Sequence, residues 1–165
     1  TGSLFPCPYD SCEELLQDVR SLNKRLVPKG LCLLPMRYQG NRALLYLYRP
    51  RCLRRDLTND LATEVLSGAG YQGKSCEQCV ARLMHRLREG QEFPHEVGLF
   101  LSYPPEDVKG FIDNKAENFK CAGLWKVYGD EKRARELFAR YKRCTDIYCA
   151  LWRAGSSIEQ LAVPV

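Results

Sequence analysis

The chain has 165 residues, of which 27% are charged and 45% hydrophobic, and its formal net charge is +5. This length suits a single globular domain over residues 1–165. Nucleic-acid binders are usually more basic, with more clustered charge, and no apolar run here is long enough to cross a bilayer. We therefore expect a protein that binds neither nucleic acid nor membranes. Because Thr1 is not a natural start, a native N-terminal segment is expected to be missing.

The chain contains nine cysteines, an odd number that does not suit a disulfide framework. Thiols stay reduced in the cytosol, whereas disulfides persist in oxidising compartments. We therefore expect mostly free thiols and a cytoplasmic protein.

The first third of the chain predicts one helix and one hairpin. Residues 1–9 hold two prolines and are expected to be irregular. A capping box at residues 11–14 predicts a helix that Pro28 ends. The apolar runs at residues 31–36 and 43–48 flank a polar stretch, which predicts an antiparallel hairpin with a loop of several residues.

The next part of the chain predicts two more helices. One should begin at Pro50, run through residues 50–65 and stop at Gly68. A second capping box at residues 75–78 predicts the start of the other helix, which Gly90 ends.

Residues 97–103 form a short apolar run between prolines, which predicts a strand buried on both faces. Pro105 should then begin a helix with acids in its first turn. Residues 124–128 predict a second strand, and Asp130 is the expected N-cap of a long helix. A strand-helix-strand unit this compact is most simply a right-handed parallel crossover.

The predicted C-terminal helix, residues 131–153, carries an apolar stripe that repeats every three or four residues, and we expect this stripe to pack on the sheet. Its members are Ala134, Leu137, Tyr141, Cys144, Tyr148 and Leu151. The elements together predict an α/β or α+β fold. Its four-stranded mixed sheet would combine the hairpin with the strand-helix-strand unit, under a cover of about five helices.

The chain also carries sequence words that are specific when taken together. They are FPHEVGLFL at residues 93–101, YPPEDV at 103–108, GFI at 110–112 and GLWKVYGD at 123–130, and Cys144-Thr145 also fits. On these words the chain resembles the bacterial family catalogued as domain of unknown function 3793, which is associated with anaerobic Gram-positive bacteria (Firmicutes). The resemblance implies no activity, cofactor or catalytic residue. The chain departs from the family at Ser102, where the family is expected to carry glycine.

Tyr103 and Tyr128 end the two predicted strands, and each is followed by a breaker and a helix. Ligands bind at the carboxyl ends of strands in open α/β sheets, so we expect the two hydroxyls near one another at that edge. Trp125 and Lys126 lie on the second strand beside them. Such a crevice suits a small polar or cationic molecule, or the basic side chain of a protein partner. Core packing of the aromatic residues is the alternative interpretation.

His95 and Glu96 lie at the start of the first predicted strand. A histidine beside a glutamate acts as a general base or a metal ligand when a partner group converges on it. The alternative is a histidine that anchors its loop by hydrogen bonds.

Cys76 and Cys79 form a CxxC motif at a predicted helix N-terminus, where the helix dipole favours the thiolate. This setting is typical of a dithiol redox site, although packed thiols are the alternative. Cys121 is a third candidate thiol. The chain has no second CxxC to complete a zinc site, so we expect no bound metal.

Two functions stay open. The first is a small ligand-binding or accessory module, and the second is a thiol-dependent enzyme or redox protein. The sequence has no phosphate-binding loop, nucleophile elbow or zinc-protease signature, which slightly favours the first. It leaves the cofactor and the oligomeric state undetermined.

Overall fold

A computed structural model of the chain describes residues 2–90 and 92–163. In chain order the elements are β1 (Gly2–Pro8), α1 (Cys12–Leu26), a 3-10 turn (Val27–Lys29), β2 (Cys32–Gln39), β3 (Arg42–Tyr48), α2 (Pro50–Leu57), α3 (Asp60–Gly68), α4 (Cys76–Glu89), α5 (Val97–Phe100), α6 (Pro105–Asp113), β4 (Cys121–Ala122), β5 (Lys126–Val127), α7 (Glu131–Arg153) and α8 (Ile158–Leu161). The fold belongs to the α+β class, as the sequence predicts. The single domain over residues 1–165 stays a prediction, and Thr1, Gln91, Pro164 and Val165 lie outside the described residues.

The main sheet has three antiparallel strands in the order β1-β3-β2, and a separate sheet pairs β4 with β5. The expectation of one four-stranded mixed sheet is therefore wrong. The first strand was expected to be irregular, because Pro6 and Pro8 lack the N–H group that a ladder needs. They are tolerated because β1 is an edge strand. The β2–β3 hairpin is confirmed, but its loop is a tight turn at Gly40 and Asn41, where Gly40 has a φ of +56°.

The sheet carries apolar side chains on both faces. Helix α1 covers one face, where Leu15 and Val19 pack against Leu33 and Leu45. Helices α2 to α6 cover the other face. A large hydrophobic cluster fills the space between this face and the helices. The sheet contributes Met36, Tyr46 and Tyr48 to it, and the helices contribute Leu53, Val65, Leu83, Phe100 and Val108. The side chains alternate because successive residues of a strand point to opposite faces.

Local chemistry sets most helix starts as predicted. Ser75 and Gln78 form a complete capping box at α4, and Asp130 caps α7 by accepting a hydrogen bond from the Arg133 N–H at 3.0 Å. One helix was expected at residues 50–65, but there are two. Asn59 interrupts it because its side chain accepts from the first N–H groups of α3 and so begins a new helix.

The run at residues 97–103 is not a strand. It forms the one-turn helix α5 and a following turn, and all four residues of α5 are buried. A short, uniformly apolar run has no periodicity that separates a buried strand from a buried helix. The Tyr46 hydroxyl fixes α5 on the sheet by donating to the Phe100 carbonyl at 2.6 Å. Gly2 allows this close approach because a Cβ there would clash with the same carbonyl.

The second predicted strand, residues 124–128, is reduced to Lys126–Val127 and pairs antiparallel with β4. The parallel crossover is therefore wrong. The chain turns sharply at Gly123, whose N–H donates to the Trp125 carbonyl at 3.0 Å, so β5 returns along β4 and does not reach the main sheet.

Helix α7 spans Glu131–Arg153 as predicted, but its stripe does not pack on the main sheet. Ala134 is buried, and Leu137 and Tyr141 are half-buried, against the cluster around Trp125. The remaining members, Cys144, Tyr148 and Leu151, are exposed. Periodicity identified the apolar face correctly, but it does not indicate what covers that face. Among the helices of the described residues, none has the length and apolar character needed to cross a bilayer.

Replacing Tyr46 with Phe should destabilise the fold. The buried Phe100 carbonyl would lose its donor, and an unsatisfied buried polar group costs about 1–3 kcal/mol. The matched control is Tyr9→Phe, which removes an exposed bond from the Tyr9 hydroxyl to the Gly40 carbonyl at 3.1 Å. The control should cost less than about 1 kcal/mol, because water replaces the donor. Urea unfolding of both variants measures the difference, and equal losses would contradict the role of Tyr46.

Candidate functional site

A cavity of about 340 Å³ lies between helices α5 and α6 on one side and the segment around Trp125 on the other. We call it the aromatic cavity. Its principal lining residues are Phe93, Val97, Tyr103, Phe111, Leu124 and Trp125. His95 and Asp107 add polar groups to its wall, and Lys126 also lines it. Four residues singled out in the sequence, His95, Tyr103, Trp125 and Lys126, therefore line one cavity.

The buried carboxylate of Asp107 fixes one wall of this cavity. Asp107 is 3% exposed, and its Oδ2 accepts the indole N–H of Trp125 at 2.7 Å. Its Oδ1 accepts the backbone N–H groups of Tyr128 at 2.7 Å and Gly129 at 2.8 Å. The carboxylate thus joins the first turn of α6 to β5 and holds the indole in one orientation. Sequence reasoning assigned Asp107 only to a helix start, since its partners lie in another element.

The indole of Trp125 is packed between aromatic rings. Tyr103 stacks on it with ring centroids 4.7 Å apart and an interplanar angle of 27°. Phe138 of α7 meets it edge-on at 4.5 Å. Offset stacks and edge contacts of this kind stabilise aromatic clusters beyond the area they bury. Burial also raises the pKa of the Tyr103 hydroxyl, so this group stays a neutral donor.

Tyr128 does not lie where the sequence suggested. It follows the short antiparallel strand β5, so it does not share a parallel sheet edge with Tyr103, and it is absent from the lining of the aromatic cavity. Its side chain packs closely against Gly110 of α6. Its hydroxyl is buried and has no hydrogen-bond partner among the described residues.

His95 and Glu96 both line a second cavity beside α3, α4 and α6, but only His95 also lines the aromatic cavity. His95 is exposed, lines the cavity and lies 5.1 Å from the ring of Phe111. Glu96 is 3% exposed and accepts the Tyr71 hydroxyl at 2.8 Å and the Arg86 guanidinium at 2.6 Å. Glu96 therefore serves a buried ionic network that ties the loop to α4, and it does not line the aromatic cavity with His95.

Lys126 contributes its aliphatic stem to the cavity, because its ammonium group is held elsewhere. The Nζ donates to the Ala116 carbonyl at 2.8 Å and lies 4.6 Å above the ring of Phe119. Lysine often buries its stem along apolar surface in this way while its charge is bound at a distance.

The candidate thiols are divided between two places. Cys76 and Cys79 line a separate cavity between α2, α3 and α4, whereas Cys121 belongs to the cluster around Trp125. Burial, reinforced by the charge of Glu77, raises the pKa of the Cys76 thiol to about 11, and burial also raises the pKa of Cys79. Desolvation, which disfavours the thiolate, is the largest cause of the raised pKa at both cysteines. Within residues 2–90 and 92–163, no group of three His, Cys, Asp or Glu side chains is placed to hold a metal ion.

The structure defines an α+β protein with a small antiparallel sheet and a ligand-sized cavity walled by aromatic side chains. The sequence matches the model of the family described as protein of unknown function (DUF3793) over residues 1–162. The chain belongs to this family, which confirms the resemblance seen in the sequence. No curated protein and no solved structure matches the chain.

Replacing Asp107 with Asn tests whether the buried carboxylate stabilises the fold. An amide has one acceptor oxygen, and its NH₂ group would face a donor, so at least one of the three N–H groups would lose its partner. We expect a loss of about 2–4 kcal/mol in the free energy of unfolding. Combining Asp107→Asn with Trp125→Phe removes the indole N–H that would face the new amide group. The double variant should therefore lose less stability than the sum of the losses in the two single variants. The control is Asp113→Asn, an exposed carboxylate on the same helix, which should change stability little. Strict additivity in the double variant would contradict the indole contact.

The raised pKa of Cys76 predicts the pH dependence of its alkylation. Thiolate is the reactive form, so the rate with iodoacetamide should rise about tenfold per pH unit and level off only near the pKa of about 11. Glu77→Gln should shift the profile to lower pH, because removing a nearby negative charge favours the thiolate. Mass spectrometry of labelled peptides measures both profiles. The exposed Cys144 and Cys149 should react before Cys76. A plateau near neutral pH would instead support the thiol-enzyme hypothesis.

Proposed function

We propose that the protein is a ligand-binding module whose aromatic cavity holds a small molecule with a planar apolar ring. The single observation that carries this proposal is the indole of Trp125, which Asp107 locks into the wall of a cavity. A volume of about 340 Å³ lies within the range of natural small-molecule sites. A wall that hydrogen bonds hold in one orientation lowers the entropic cost of binding.

The chemistry of the lining favours an apolar ring over the polar or cationic ligand that the sequence suggested. Tyr103, Phe111 and Trp125 present aromatic surface, and Val97 and Leu124 add aliphatic contacts. Two of the polar groups already have partners, since Asp107 accepts three N–H donors and the ammonium of Lys126 is bound to a carbonyl outside the cavity.

His95 supplies a polar position at the edge of the cavity. His95 is exposed there, and its nitrogens make no hydrogen bond with the described residues. A single polar substituent on the ring would therefore be oriented by this imidazole, whose ring nitrogens can donate and accept hydrogen bonds. The proposed ligand is a planar ring with one such substituent.

The setting of this function is part of the proposal. The resemblance to the family suggests an anaerobic Gram-positive bacterium, and the nine cysteines are free thiols, which suits the cytoplasm. The alternative of a thiol enzyme has less support, since Cys76 and Cys79 share a cavity but both have raised pKa values.

The indole N–H of Trp125 offers a direct reporter of binding. The chain has two tryptophans, and Trp152 is 58% exposed on α7, so Trp152→Phe leaves one indole signal in a ¹⁵N–¹H spectrum. Titration with indole, quinoline and benzoate should shift this signal, whereas an aliphatic carboxylate of similar size should not. No shift with any planar probe would overturn the proposal.

A matched pair of variants localises the binding. Leu124 lines the cavity and is 56% exposed, and Val27 is equally exposed but lies in the turn after α1. Leu124→Glu places a charge at the cavity and should weaken binding of quinoline about tenfold or more. Val27→Glu should leave the affinity unchanged. Equal affinity in the two variants would place the probe outside the aromatic cavity.

A further inference from the structure

A further cavity, of about 380 Å³, lies at the turn end of the β2–β3 hairpin. We call it the hairpin cavity. Its principal lining residues are Pro6, Arg37, Gln39, Arg42, Leu44 and Phe93. Two of them are arginines, and no acidic side chain belongs to the lining that the described residues form. The positive charge of this cavity is therefore not balanced from within its own wall.

The register of the hairpin brings these polar side chains together. Gln39 pairs with Arg42, and Arg37 pairs with Leu44 across the two strands. Side chains at paired positions, and at every second position along a strand, project from the same face of a sheet. Leu44 packs against the large cluster beneath α2 to α6, so both arginines lie on that face. Because Gln39 and Arg42 are exposed, the cover of helices ends before the turn and leaves this corner of the sheet open.

The two guanidinium groups differ in what already holds them. Arg37 donates to the Leu87 carbonyl at 3.5 Å and to the side-chain oxygen of Gln39, and both bonds restrict its side chain. A guanidinium has five N–H donors, so Arg37 keeps donors for a ligand. The side chain of Arg42 makes no hydrogen bond or ion pair in the part of the chain that the structure describes. One arginine is thus oriented in advance, and the other is available.

Charge complementarity selects an anion as the ligand. Arg88 of α4 donates to the carbonyls of Met36 at 2.9 Å and Pro35 at 3.3 Å. It therefore places a third positive charge on β2 next to Arg37. Glu92, an acid close to this cavity in the sequence, lines the cavity beside α3, α4 and α6 instead. The planar guanidinium fork matches carboxylate and phosphate oxygens, which accept two parallel N–H bonds.

The apolar part of the lining indicates what carries the anion. Phe93 is 52% exposed, and Pro6 and Leu44 add apolar surface beside it. A ligand that covers this surface removes it from water, which favours binding. An aromatic ring suits the exposed phenyl group, because stacked and edge-on rings attract beyond the area they bury.

We propose that the hairpin cavity binds an aromatic compound that carries a carboxylate or a phosphate. Arg37 and Arg42 hold the anionic group, and the ring packs against Phe93. Phe93 also lines the aromatic cavity, so the two cavities share a wall. The proposal does not rest on the proposed function, because the two arginines lie outside the aromatic cavity.

The Nε–H signals of Arg37 and Arg42 in ¹⁵N–¹H spectra of the intact chain test this proposal. Titration with phenyl phosphate and with benzoate up to about 10 mM covers weak affinities, and the acid with the larger shifts identifies the preferred anion. Benzyl alcohol, which has the ring without the charge, should leave both signals in place. In Leu124→Glu, which weakens binding in the aromatic cavity, the arginine shifts should persist. Loss of the arginine shifts in that variant would place the ligand in the aromatic cavity and overturn the proposal.

A matched pair of arginine variants measures the contribution of the charge. Arg42→Gln should weaken binding of the preferred acid about tenfold or more, because charge-assisted hydrogen bonds are lost. The control, Arg140→Gln, removes the same charge from an exposed position on α7 and should leave the affinity unchanged. Circular dichroism checks that both variants stay folded.

Three further outcomes would overturn the proposal. In the first, neither acid shifts the signals of Arg37 and Arg42 in the wild-type chain. In the second, benzyl alcohol shifts them as much as the acids do. In the third, Arg42→Gln and Arg140→Gln bind the preferred acid equally well.

Discussion

The carboxylate of Asp107 is the contact on which the second half of the structure depends. The sheet of β4 and β5 has only two residues in each strand, too few to hold a segment in place by ladder hydrogen bonds. Asp107 supplies the missing connection by accepting donors from three residues at Trp125, Tyr128 and Gly129. Because these donors compensate the buried charge, a helix and a nearly irregular segment become one rigid wall. The position of Trp125, and hence of the cavity, follows from these hydrogen bonds to Asp107.

A second constraint holds the other wall. Helix α5 has a single turn and is fixed by burial and by the bond from Tyr46 to the Phe100 carbonyl. The chain leaves it through Ser102, whose φ of +60° lies in the left-handed region that favours glycine. Serine at this position therefore carries backbone strain that glycine would avoid. The Ser102 hydroxyl donates to Asp56 at 2.8 Å, a contact that glycine lacks and that offsets part of the backbone strain.

Structural features that are set by neighbouring residues were predicted correctly from the sequence. Features that are set by contacts between distant residues were not. The caps at Ser75 and Asp130 are formed by side chains within three residues, and both helices begin there as predicted. Residues 97–100 lack a distinguishing period, so their helix was mistaken for a strand. Tyr103 and Trp125 do converge on one cavity, and their role in binding stays a prediction. The error over Tyr128 arose from assuming parallel strands, and the role of Asp107 depends on partners 18 or more residues away.

Helix α7 remains folded over a length that packing alone does not explain. Isolated helices of about 12 residues are marginal in water, and the exposed half has that length. Its helical form is supported locally by the cap at Asp130 and by i, i+4 pairs such as Lys142 with Asp146. Beyond its end, Glu159 of α8 pairs with Arg25 at 2.6 Å, so the segment that follows is tied to α1. The exposed half of α7 is therefore held at both of its ends, by the cluster around Trp125 and by the pairing of α8 with α1.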